Sequence, residues 1–151
     1  MNYWLVKTEE DVYPIDSLKK DKETSWDGVR NYQARNFLKE MKKNDLVFIY
    51  HSNATTTGIT GLAEVKKTAE PDELQFDKKS DYFDPASTRD NPRWFAPTLK
   101  FKEKFKNILS LSEMKEVKEL KNSQLLKKGN RLSVMPMSKN EAEAILSFFN
   151  K

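Results

Sequence analysis

No cysteine occurs among the 151 residues, and histidine occurs once, at position 51. The first absence excludes disulfides, a thiol nucleophile and a cysteine-ligated zinc site; the second excludes a histidine-rich metal centre. Neither a metal nor a cofactor is therefore expected. Glycine is nearly as scarce, and the four present, at positions 28, 58, 61 and 129, match neither a phosphate loop nor a dinucleotide fingerprint. Long apolar runs are missing too: the longest, Leu46–Tyr50, is far below the roughly 20 residues that a membrane helix needs. Met1–Glu10 has no basic n-region and no long apolar core, so a cytoplasmic protein without a membrane partner is the expectation. No heptad or apolar stripe beyond the expected core is visible, so these residues leave the oligomeric state open, with a monomer as the expectation.

What is present is polar and aromatic. The chain is 37% hydrophobic and 33% charged, with mean hydropathy −0.81 and 17 aromatic residues, too aromatic for a disordered chain and the right length for one domain spanning residues 1–151. The net charge of +4 is concentrated: Leu99–Arg131 holds ten Lys or Arg against four Glu. A phosphate-binding surface and a solvated lysine face explain this charge equally well.

The hydrophobic spacing predicts a strand over Tyr3–Lys7, a Pro14-initiated helical turn, and a helix from Asn31 with Ala34, Phe37, Leu38 and Met41 on one face. Leu46–Tyr50 and Gly61–Val65 read as buried strands of a hairpin, joined by the polar loop His51–Gly58. Pro71–Pro97 reads as an ordered loop that covers something, given Tyr82, Phe83 and Trp94. Leu99–Lys106 alternates, with Leu99, Phe101 and Phe105 on one face and four lysines on the other. Ser110 with Glu113 and Ser138 with Glu141 are capping boxes: the first opens a helix that turns Leu111, Met114, Val117 and Leu120 inward, the second one that buries Ile145, Phe148 and Phe149. Between them a Gly129-Asn130-Arg131 turn leads into a strand over Leu132–Pro136. The sum is an α+β fold with a mixed sheet curled toward a barrel and helices packed around it.

The segment Ser25–Phe37 carries the most chemistry. It crowds Trp26, Asp27, Arg30, Asn31, Tyr32, Gln33 and Arg35 ahead of a helix start, the mixture needed to stack on a flat heterocycle and hydrogen-bond its edge. His51, Ser52 and Asn53 end a buried strand, where a serine hydroxyl and an asparagine amide can read a base edge or simply cap a loop. Arg30, Arg35, Lys127 and Lys128 are candidates for backbone phosphates, and Arg131 is singled out because it sits in a turn feeding a strand. No catalytic residue is assigned. Asp27, Asp45 and Glu64 are not fixed as a pair, and no G-x-S-x-G elbow accompanies His51 and Ser52.

Several segments, in order from end to end, resemble the EVE domain family: Tyr3–Glu9, Trp26–Asn36, Tyr50–Asn53, Gly61–Val65, Asn91–Trp94 and Gly129–Pro136. The resemblance implies a PUA-like fold, a small curled mixed β-barrel with flanking helices, related to the YTH domains that hold N6-methyladenine in an aromatic cage. It implies binding of DNA or RNA that carries a modified base, such as 5-methylcytosine, 5-hydroxymethylcytosine or N6-methyladenine. By the same resemblance Trp26, Asn31 and Tyr32 form one side of a ligand pocket and His51, Ser52 and Asn53 its strand-end side. Trp94, Arg131, Ser133, Val134 and Met135 match positions near it. Two departures stand out: Thr8-Glu9-Glu10 lacks a proline common in the family, and Thr55-Thr56-Thr57 replaces lysine and proline in the loop after Asn53.

The expected function is a non-catalytic reader in which an extruded modified base stacks on an aromatic ring and is hydrogen-bonded by Asn31, Ser52 or Asn53. The alternatives are a small hydrolase or base-modifying enzyme using His51 or Asp27, and a protein-interaction module built on Tyr82–Trp94.

Overall fold

The computed structural model describes residues 1–150. Six strands, β1 (Tyr3–Glu9), β2 (Glu23–Ser25), β3 (Leu46–Ser52), β4 (Gly58–Pro71), β5 (Phe95–Ser110) and β6 (Val134–Met137), make one sheet in the order β2-β5-β4-β3-β1-β6. The four α-helices are α1 (Ile15–Asp21), α2 (Tyr32–Glu40), α3 (Leu111–Met114) and α4 (Lys139–Phe149). β1 runs parallel to β3, and every other pairing is antiparallel.

The sheet is not closed into a barrel. Its edge strands β2 and β6, of three and four residues, stand at opposite ends of the order. Closure requires the first and last strands to pair along their length, and strands this short offer too few backbone groups for it. Curvature comes instead from the long β4–β5 ribbon, whose register shifts at four places. One shift has a visible consequence. Leu62 pairs with Glu103 but Ala63 with Phe101, so an extra residue lies between them on β5. A bulge re-phases the side chains beyond it. Leu99 and Phe101 accordingly pack on one core, whereas Phe105 enters another and stacks on Phe149 at 3.6 Å. Simple alternation had placed all three on one face.

Both sheet faces are covered. Trp4 and Val6 of β1 join Ile15, Leu18, Trp26, Ala34 and Leu38 under α1 and α2; Leu5 points the other way to Phe48, Met114, Met135 and Ile145 under α3 and α4. A strand buried on both sides reads as continuous apolar residues, as Trp4-Leu5-Val6 does. Asn31 caps α2 by accepting from the Ala34 N–H at 2.9 Å, and both expected capping boxes are formed. The helix expected through Leu120 stops at Met114, because Val117 is extended and a separate 3₁₀ turn follows at Lys118–Leu120.

Candidate functional site

At one end of the sheet, where β1, β2 and the segment after β2 meet, lies a cavity of about 510 Å³. Trp26 forms an inner wall: only 8% exposed, it packs edge-on against Tyr13 with ring centres 6.1 Å apart, and its backbone N–H donates to the Pro97 carbonyl. Thr8, Asp27, Val29 and Ser133 also line the cavity, and the exposed Val12 and Tyr82 stand at its rim.

The Pro71–Pro97 loop covers this segment, as its aromatics suggested. Its anchor is Asp72, whose side chain has no exposed surface and accepts from the Arg30 guanidinium at 2.9 Å, the Gly28 N–H at 2.8 Å and the Leu74 N–H at 2.8 Å. Arg30 also donates to the Tyr82 and Val29 carbonyls, so most of its fork is spent tying the loop to the pocket. Gly28 is required where it stands. Its φ of +80° is left-handed, and a Cβ there would lie 3.2 Å from the Tyr82 ring.

The remaining sequence-predicted residues fall into separate groups. Tyr32 stacks on Trp94 with centres 4.9 Å apart, and the Arg35 and Arg93 guanidinium groups lie over Tyr32. Trp94 itself is buried and donates its indole N–H to Asp84 at 2.7 Å, and that bond leads the effects holding the Asp84 carboxyl below its usual value. Asn31, Lys127 and Arg131 share a second concavity of about 410 Å³, lined largely by amides; Lys128 is exposed beside it. Val134 and Met135 are fully buried core residues.

His51 lies outside the cavity wall. It is 5% exposed, and its Nε2 accepts from the Ile15 N–H at 3.0 Å, supplying the first turn of α1 with the cap that Pro14 cannot offer. Burial lowers its pKa. The Ser52 hydroxyl faces the Thr8 carbonyl at 3.5 Å, and Asn53 Nδ2 donates to Glu9 at 2.7 Å, binding the end of β3 to the end of β1.

Sequence reasoning passed over Tyr13 and Tyr82 as pocket residues. Tyr82 had a signal, an aromatic in a polar loop; Tyr13, beside Pro14, had none. Asp27, counted in the Ser25–Phe37 mixture but assigned no site role of its own, lines the pocket, where partial burial and then the nearby Asp72 charge raise its pKa.

Part of the lysine face is neutralised locally. Lys102 pairs with Glu64 and Lys104 with Asp16. Among the described residues no group of three or more His, Asp or Glu is placed to hold a metal ion.

Comparison with known proteins bears on the same end-to-end pattern. The model described as EVE domain matches residues 2–148. Mouse thymocyte nuclear protein 1 is 40% identical over 97% of this chain and 73% of its own length. Among solved structures, a Pseudomonas syringae protein is 42% identical with a TM-score of 0.93, covering 97% of this chain and 98% of that one. Human THYN1, crystallised in complex with 5-methylcytosine containing DNA, is 37% identical with a TM-score of 0.93, covering 100% of this chain and 99% of that one. Agreement of sequence and backbone along nearly the whole length leaves one conclusion: the chain belongs to the EVE domain family.

Proposed function

We propose that this protein is a non-catalytic reader of DNA carrying a modified base, and that the base enters the cavity walled by Trp26. The observation that carries this reading is the cavity itself, in which aromatic rings, hydroxyls and the carboxylates of Glu9 and Asp27 surround a space wide enough for a base. The DNA held by human THYN1 supports it for a chain that shares that backbone. Stacking on an aromatic ring contributes about 1–3 kcal/mol, and a buried methyl about 0.8 kcal/mol, so the methyl alone gives a modest preference. Arg131 and Lys127 beside the second concavity, with Arg35 and Arg93 around Tyr32, supply the cations for flanking phosphates. The structure offers little to a hydrolase: the ring nitrogen His51 would use as a base is already an acceptor for Ile15.

Fluorescence anisotropy with matched DNA and RNA oligonucleotides tests this, each carrying cytosine, 5-methylcytosine, 5-hydroxymethylcytosine, adenine or N6-methyladenine at one position. A preference for a modified base in DNA, lost in Trp26→Ala and weakened in Tyr82→Ala, is expected. Tyr82 is 42% exposed and its truncation leaves the core intact. Equal binding of all oligonucleotides would overturn the proposal.

A further inference from the structure

Two carboxylates line the cavity, and Glu9 is occupied: it accepts from Asn53. Behind the wall Asp72 is likewise taken, by Arg30 and two backbone N–H groups. Asp27, the other carboxylate lining the cavity, is not: among the described residues no side chain donates to it, and the one cation bearing on it, Arg30, is bonded to Asp72. Its backbone is nevertheless fixed. Trp26, Asp27 and Gly28 donate in turn to the Pro97 carbonyl, the Ser25 carbonyl and the Asp72 carboxylate, at 2.9, 2.9 and 2.8 Å. An acceptor-only carboxylate on a fixed backbone, with no side-chain donor, thus lines a pocket next to a tryptophan wall.

We propose, resting on the base-pocket reading above, that Asp27 selects bases carrying an exocyclic amino group by accepting an N–H from it. Cytosine N4 and adenine N6 are such donors, and carboxylates pair with cytosine N4. Thymine and uracil present a carbonyl oxygen at the equivalent position, which would face the carboxylate acceptor to acceptor. The decisive comparison is 5-methylcytosine with thymine, because both carry the 5-methyl group and only the first has the amine. Methyl burial cannot separate them; Asp27 can. The charged groups that bear on Asp27 are Asp72 and Arg30, locked in their own ion pair, so the titration that matters is that of Asp27 itself. Its raised pKa brings protonation closer to neutrality, and the protonated acid can donate to a carbonyl. Discrimination should therefore be full above that pKa and fall as the pH is lowered through it.

The test is anisotropy with single-stranded DNA oligonucleotides, in which base pairing does not contribute, carrying 5-methylcytosine, thymine, cytosine or uracil at one position. Wild-type protein should favour each amino base over its oxo counterpart about tenfold. Asp27→Asn, whose amide can donate as well as accept, should erase or invert that ratio and remove its pH dependence. A ratio that survives in Asp27→Asn overturns the proposal, as does a wild-type protein that binds 5-methylcytosine and thymine alike through Trp26. Failure to bind any of these oligonucleotides overturns the base-pocket reading with it. Asp27 supports no other side chain, so its substitution tests selection without disturbing the fold.

Discussion

At His51 the imidazole nitrogen that a general base would use accepts the N–H of Ile15, 36 residues away in sequence. The bond requires the neutral ring, and burial already disfavours the cation, holding the folded-state pKa below the ordinary 6.5. The unfolded chain therefore takes up its proton first on acidification. The stabilisation is fully present above about pH 6.5 and is lost as the pH falls through the folded-state value. Thermal unfolding should show the melting temperature declining over that window. In His51→Gln, where an amide oxygen can accept the same bond without titrating, that part of the decline should vanish. The sequence marked His51 as notable but could not give it this role, because a cap supplied by a distant strand has no local spacing. Asn31 shows the converse. Placed at a helix start by its own neighbours, it was legible as a helix terminus, and its side chain makes the cap.

At the scale of elements, the Pro71–Pro97 loop is held to the Trp26–Arg30 segment by one buried carboxylate with three donors. Replacing Asp72 by alanine leaves the Arg30 guanidinium and two backbone N–H groups without their acceptor. Losing one partner of a buried pair costs about 3–5 kcal/mol. Chemical denaturation should report a loss of that order, and limited proteolysis should cut first between Glu73 and Trp94. Asp72→Asn should lose less, since its amide oxygen still accepts. Composition and aromatics marked this loop as ordered and covering. What it covers was decided by pairing across 42 residues, between Arg30 and Asp72, which periodicity cannot see. The bulge on β5 is a second case: the alternation of Leu99–Lys106 is real, yet one extra residue in the ladder sends Phe105 to the opposite core.

For the whole molecule, an open sheet covered on both faces leaves the strand ends at one edge free to build the cavity, while cations collect on neighbouring loops and helix ends. If Lys127 and Arg131 hold phosphates, removing each should lower the salt slope of DNA binding by about 0.7 for single strands without altering base preference. A titration of affinity against salt for Lys127→Ala and Arg131→Ala checks this; changed base preference with an unchanged slope would reassign both to base contact. The sequence by itself determined the elements and the family pattern, because strand and helix periodicity, capping boxes and the Trp26–Asn36 motif are encoded within a few consecutive residues. Only the tertiary structure decided that the sheet stays open, that His51 supports a helix, and that of the two pocket carboxylates Glu9 takes a side-chain donor and Asp27, among the described residues, takes none. Those outcomes depend on which residues distant in sequence arrive within hydrogen-bonding distance, and on which donors have already been taken.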